Sequence, residues 1–158
     1  MEIRFAKGTD VPAILDLLKQ VGALHHQGRP DIFRSKAQKY GPSQVFSMVD
    51  SSQNPILVAA EDEQVLGYCF CEIKEYKNDP VMEDRKELYI DDLCVERACR
   101  GQGVGSALYE AVCKLAKEKD CHSITLNVWC CNETAVAFYE KLGLKPQKIG
   151  MEMVLEES

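Results

Sequence analysis

Two short stretches of this chain carry residue types with chemistry in them. The first is Arg100-Gly101-Gln102-Gly103-Val104-Gly105-Ser106, three alternating glycines behind an arginine and ahead of an amphipathic run. A helix start leaves backbone N–H groups unpaired and carries partial positive charge, so it suits an anion. Glycines before it let the chain turn with positive φ and let a ligand approach the backbone closely. The dipole contributes about 0.3–1 kcal/mol, and a charge-assisted bond from Arg100 about 1.5–3 kcal/mol. Several such N–H bonds in parallel would hold a pyrophosphate; a plain strand-to-helix turn is the alternative. The second stretch is Asp91-Asp92, which closes a run crowded with Glu72, Glu75, Asp79, Glu83, Asp84 and Glu87. The loop residues of that run read either as a solvated connection between strands or as a surface that attracts cations.

Two familiar phosphate loops fit poorly. A Walker loop needs a lysine before its Ser/Thr, and Gly105-Ser106 has none between them. A dinucleotide fingerprint has the spacing G-x-G-x-x-G, whereas this stretch is G-x-G-x-G, with no acidic residue at the place where a ribose contact would fall.

The elements that must position these residues follow from periodicity. "EIRFAK" alternates and predicts a first strand; Thr9 predicts a cap for a helix with Pro12 in its first turn and Val11, Ile14, Leu15 and Leu18 as its stripe, ended by Gly22. Residues 23–55 read as irregular, with helical turns between Gly28-Arg29-Pro30 and Gly41-Pro42. "PILVAAED" and "QVLGYCFCEIKEY" predict an antiparallel hairpin, and "ELYIDDLCVE" a further strand. A helix from Gly103 to about Glu118 follows, then the strand "HSITLNVW". Asn132 caps the helix "ETAVAFYEKL", which Gly143 ends, and "KPQKIGMEMVLEE" supplies one or two closing strands. Strict alternation in the fourth strand puts Asp91 on the face of Leu93 and Val95, and Asp92 on that of Ile90 and Cys94, so one of the two at most faces any given cleft.

Composition bounds the rest. The 158 residues suit one α/β domain, 1–158, and nothing in the sequence marks a linker or repeat. A net charge of −6 without a Lys/Arg cluster argues against nucleic acid. No apolar run approaches the ~18–20 residues of a membrane span, and the start has no export pattern. Eight cysteines without a C-x-x-C, and three histidines without ligand spacing, read as reduced thiols in a cytoplasm rather than as disulfides or a metal centre. Cys69/Cys71 and Cys130/Cys131 fall in apolar, strand-like runs.

Context separates the glycine stretch from a plain turn. A strand ending "LCV", four residues, and then Arg-x-x-Gly-x-Gly opening a helix resembles the acetyl-CoA motif of the GNAT N-acetyltransferases. "NETAVAFYEKLGLKP" resembles that family's second signature. The resemblance covers the chain from about Ile56 to Leu155. It implies an α/β fold with a central mixed, mostly antiparallel, twisted sheet of six to seven strands, the fourth and fifth splayed, flanked by about four helices.

The resemblance also implies roles. The CoA pyrophosphate would lie on the N–H groups of Gly101, Gln102, Gly103, Val104, Gly105 and Ser106, with Arg100 at the entry. The pantetheine arm would pair with Leu93, Cys94 and Val95, and a backbone N–H near Leu93 would polarise the thioester carbonyl. Asn132 would reach the cofactor, and Tyr139 would protonate the leaving thiolate, unless Tyr139 only packs in its helix stripe. The base that deprotonates the amine is Asp91 first, with Asp92 and Glu72 behind it, and a carboxylate that only binds a cation is the alternative. A glutamate that some members carry on the fifth strand is Asn127 here. His25 and His26, in a segment that shapes acceptor access in the family, read as surface residues; Phe33 and Tyr40 either line the pocket or pack.

The expectation is thus an N-acetyltransferase that passes the acetyl group of acetyl-CoA directly to a primary amine, a cationic small molecule, with no metal. The partners expected are the small-molecule amine and a second copy in a homodimer, but neither nucleic acid nor membrane. Acetylation of a protein N-terminus or lysine, and a CoA-binding module without turnover, stand as alternatives. Cys94 has no histidine partner in sequence, so no covalent enzyme intermediate is expected.

Overall fold

A computed structural model describes every residue except Ala37 and residues 156–158. The described chain forms two compact units, Met1–Asn127 and Val128–Ser158. The first holds a five-stranded sheet in the order β1-β2-β3-β4-β5, made of β1 (Glu2–Phe5), β2 (Ile56–Glu61), β3 (Gln64–Tyr76), β4 (Arg85–Val95) and β5 (Ser123–Leu126). Pairings are antiparallel except β4–β5, which α3 (Val104–Glu118) connects as a crossover. Two further helices, α1 (Val11–Gly28) and α2 (Pro42–Met48), belong to this unit, and α4 (Glu133–Lys141) to the second.

The sheet is buried on both faces, which explains the near-continuous apolar runs of β2 and β3. Val58, Tyr68, Phe70 and Cys94 pack with Ile14, Leu17 and Leu18 of α1 and Val45 of α2. Leu57, Ala59, Cys69, Cys71 and Ile90 pack with Leu108, Val112 and Leu115 of α3 on the other face. The β2–β3 turn uses Asp62 and Glu63 at φ 49 and 66, the double positive φ of a tight hairpin. Gly67 is a glycine for room: a Cβ there would lie 2.8 Å from the Cys94 carbonyl oxygen and 3.3 Å from Val104 and Leu108. That close approach seats the start of α3 against β3 and β4.

Several expectations need correction. The first helix does not stop at Gly22, whose backbone stays helical; it runs to Gly28, where Arg29 N–H bonds the His25 carbonyl at 3.0 Å ahead of Pro30. A glycine inside a helix costs only ~1 kcal/mol, whereas the residue before a proline resists the helical conformation. The N-cap of α1 is Asp10 rather than Thr9. The Asp10 carboxylate takes a bond from Lys7 N–H (2.7 Å) and a two-pronged one from Arg4 (2.7 and 3.1 Å). Arg4 holds the Asp10 carboxyl below the usual range. β5 is shorter than "HSITLNVW", and Cys130 and Cys131 lie exposed in a turn. The sheet has five strands among the described residues, fewer than the six to seven expected, and residues 145–155 of the second unit carry no strand of their own. Alternation in that segment states strand propensity, and a strand exists only as part of a ladder. No described helix is long and apolar enough to cross a membrane.

Candidate active site

The parallel ladder between β4 and β5 covers only Glu87–Ile90 against Ser123–Leu126. β4 continues to Val95, held on its other edge by β3 through Asp92↔Phe70, Leu93↔Cys69, Cys94↔Tyr68 and Val95↔Gly67. β5 ends at Leu126, so the ladder stops at Ile90 and Asp91–Val95 have no β5 partner. A strand edge of this kind accepts an extended ligand through backbone bonds.

Beyond the end of β4, Gly101 and Gly103 stand at φ 80 and 81. A Cβ at either would meet nothing within 4 Å, so glycine is required there by conformation rather than by crowding. Gly103 is the left-handed N-cap of α3, and the N–H groups of Val104, Gly105 and Ser106 occupy the first turn, where no helical carbonyl reaches them. Val104 itself is buried, anchoring the helix start, and Arg100 turns back so that its Nε donates to the Val95 carbonyl at 3.2 Å. Turn and strand edge are thus parts of one continuous stretch of chain.

The carboxylates depart from strict alternation. β3 and β4 change register between Phe70 and Cys71, which pair with Asp92 and Ile90 respectively, leaving Asp91 as the extra residue of a bulge. A bulge turns two successive side chains toward one face, so the expectation that Asp91 and Asp92 oppose each other is corrected. Asp92 accepts a bond from the Tyr68 hydroxyl at 2.6 Å. Asp91 accepts one from the Tyr40 hydroxyl at 2.5 Å and another from Lys39 Nζ, its ion-pair partner, at 2.7 Å. Tyr40 and Tyr68 both pack against Phe70, with ring centroids 5.4 and 4.9 Å away, which fixes the hydroxyls that hold the two acids.

Electrostatics on this face are acidic. Burial pushes the Asp92 carboxyl up to about 6, against the bond from Tyr68 and the attraction of Lys39. Burial, followed by the bonded Asp91 and the nearby Glu72 and Asp92 charges, raises the Tyr40 hydroxyl. Burial raises Tyr68 as well, with the Asp92 charge second. Burial pushes the Cys94 thiol up to about 12, so it is no nucleophile at neutral pH.

The rest of the acidic run has other work. Asp79 accepts from Val81 and Met82 N–H, Asp84 from Asn78 N–H, and Glu75 pairs with Lys77. These residues shape the β3–β4 loop. Glu72 pairs with Tyr89 in register, two positions from Phe70.

His25 and His26 are partly buried rather than free on the surface. His26 Nδ1 lies 2.7 Å from the Phe33 carbonyl, and the His25 ring meets Phe33 edge-on at 4.7 Å. Burial lowers the His25 pKa, with the Lys39 charge adding to it. Asn127 donates to the Tyr89 hydroxyl at 3.2 Å. In the second unit, Asn132 Oδ1 accepts from Ala135 N–H at 3.2 Å and caps α4, and Tyr139 stacks edge-on to Phe138 at 5.2 Å. Sequence reasoning missed Lys39 and Tyr68, and left Tyr40 undecided. Only the register of the bulged ladder brings Tyr68 to Asp92, and no local pattern marks it.

The chain belongs to the Acetyltransferase (GNAT) family, whose model matches residues 23–144. A mutant form of the BH1408 protein from Bacillus halodurans has the same fold, with a TM-score of 0.94 and 34% identity, covering 99% of this chain and 100% of that one. A Bacillus subtilis protein provisionally named a ribosomal protein bS18-alanine N-acetyltransferase is 32% identical over 57% of this chain and 53% of its own. Thialysine N-epsilon-acetyltransferase of Sus scrofa is 35% identical over 38% of this chain and 35% of its own. The chain spans about half the length, or less, of these two curated relatives.

Proposed function

We propose that this single domain is an N-acetyltransferase that moves the acetyl group of acetyl-CoA to a primary amine on a cationic small molecule. The observation that carries this is the bulged acid pair just past the end of the β4–β5 ladder, on the strand that leads into the glycine turn. The residues fit the cosubstrate: left-handed glycines with open space around them at a helix start for its pyrophosphate, and a bare strand edge for its extended arm. Gly101, Gln102, Gly103, Val104, Gly105 and Ser106 would hold the pyrophosphate with Arg100 beside them, and Leu93, Cys94 and Val95 the arm. When bound, acetyl-CoA supplies an activated thioester.

On the acceptor side Asp91 receives the cation, and Asp92, whose carboxyl titrates near 6, takes the proton that the amine must lose. Tyr139 is assigned to protonation of the departing sulfur, and Asn132, whose Oδ1 caps α4, to the pantetheine or phosphate region of the cofactor. With all eight cysteines free, a reducing cytoplasm suits the protein. A homodimer is the expected assembly, and sedimentation equilibrium of the full chain checks it.

The primary test is release of free thiol from acetyl-CoA across a panel of polyamines, aminoglycosides, lysine analogues and an N-terminal alanine peptide. The peptide is included because the Bacillus subtilis relative bears that name. Small cations are expected to lead. Preference for the peptide would overturn the substrate class. No amine-dependent release despite CoA binding would leave a binding module.

A further inference from the structure

We infer that Lys39 is a built-in competitor for the acceptor, an ammonium of the chain itself that occupies Asp91 until a cationic substrate displaces it, and so a residue that sets acceptor specificity. The inference rests on the acceptor side of the reading above and deepens it.

Both oxygens of the Asp91 carboxylate accept a hydrogen bond from the chain itself. Lys39 Nζ donates to Oδ1 at 2.7 Å and the Tyr40 hydroxyl to Oδ2 at 2.5 Å. Each oxygen keeps a second lone pair, but an ammonium brought to Asp91 would lie beside the like charge of Lys39 Nζ, so close pairing is favoured when Lys39 withdraws. The two donors are consecutive in sequence but differ in how firmly they are held. The Tyr40 ring packs on Phe70 with centroids 5.4 Å apart, and its raised pKa keeps the hydroxyl protonated and donating. The Lys39 side chain is 49% exposed, whereas that of Asp91 is 16% exposed. Its ammonium therefore reaches in from solvent on a flexible stem, and swinging back out restores its hydration.

Competition of this kind discriminates among amines. A ligand whose only cation is the reacting amine gives up that charge at Asp92, so it gains nothing lasting at Asp91 and leaves Lys39 in place. A ligand with a second ammonium replaces one ion pair by another of the same kind, and its cost is only the displaced contact. Lys39 thereby weakens ligands that engage Asp91 with a second positive group and leaves the others unaffected, so it sets how strongly a second charge is rewarded. Tyr40 is the positioning residue of the pair, since it holds Asp91 oriented whichever ammonium is present.

The test is equilibrium binding of 1,4-diaminobutane to the full chain by calorimetry, without acetyl-CoA, in a double-mutant cycle. Lys39→Ala is expected to tighten binding about 2- to 5-fold, the scale of one partly exposed ion pair. In the Asp91→Asn background the same substitution is expected to change affinity by less than about 1.5-fold, because the contact it removes is already gone. Circular dichroism of each variant verifies folding. Lys39→Gln, which keeps a hydrogen-bond donor without the charge, should behave as Lys39→Ala does. Weaker or unchanged binding in Lys39→Ala would overturn the inference, and so would an equal tightening with and without the Asp91 carboxylate. Absence of diamine binding in every variant would overturn it too, while thiol release across the amine panel reports separately on whether the chain is an acetyltransferase.

Discussion

Asp92→Asn is expected to lower kcat by about 10²–10⁴-fold, the usual contribution of a positioned general base, while leaving the protein at least as stable as the wild type. The two effects have one origin. Burial of Asp92 raises its carboxyl from 3.8 to about 6, which makes it a stronger base than an ordinary carboxylate and a costly charge to hold. Between those two values the native state binds the proton and the unfolded chain does not, so the stability this group confers is full below pH 4 and is lost as pH rises to 6. A shift of this size corresponds to at most about 3 kcal/mol. Asparagine keeps an oxygen to accept the Tyr68 hydroxyl and never ionises. The variant should therefore melt higher than the wild type at pH 7, with the difference vanishing below about pH 4. The rate profile supplies the second readout: kcat/KM of the wild type rises with pH through about 6, and the variant lacks that inflection. A variant that loses stability and activity together would make Asp92 a structural residue.

Tyr139→Phe is expected to reduce kcat by about 10²-fold or more while CoA affinity, measured by calorimetry, changes only modestly, since one neutral hydrogen bond is the most that binding could lose. The hydroxyl is the only group removed, and the ring that meets Phe138 at 5.2 Å remains. The change also separates Tyr139 from Asp92 by pH. Loss of a general acid should lower the rate most at high pH, where the departing sulfur has least help from solvent, whereas loss of the base acts through the inflection near 6. Equal losses in kcat and CoA affinity would assign Tyr139 to cofactor binding, and a lowered melting temperature would assign it to packing.

The parts of the fold and site that could be read in advance were those written in local chemistry. Glycine at φ 80 and 81 before a helix, Asn132 capping α4, and the apolar runs of β2 and β3 each depend on residues within one turn or one strand. What escaped depends on residues far apart. The contacts from Tyr68 to Asp92 and from Tyr40 to Asp91 span 24 and 51 positions, and the Lys39–Asp91 pair spans 52. Alternation alone sent Asp91 to the wrong face because a bulge is a property of two strands together, not of one. Lys39 left no trace at all in its own neighbourhood, since a lysine in an irregular polar segment is the ordinary solvated case. Gly22 misled for a different reason: a glycine is a weak stop within a helix, and the Gly28-Arg29-Pro30 break further on is a strong one.

The bulge in β4 also changes how this site could vary among related chains. Removing Asp91 outright would leave Ile90 and Asp92 opposite Cys71 and Phe70 in unbroken sequence, a regular ladder. One acid would vanish, yet Leu93, Cys94, Val95 and the glycine turn would keep their partners. A one-codon deletion could thus reset the charge presented to the acceptor without disturbing the cofactor end, a separation that side-chain exchange at Asp91 achieves only by leaving a misfit residue in the strand. If Asp91 receives the acceptor as proposed, chain length at this point would set acceptor preference as much as residue identity does.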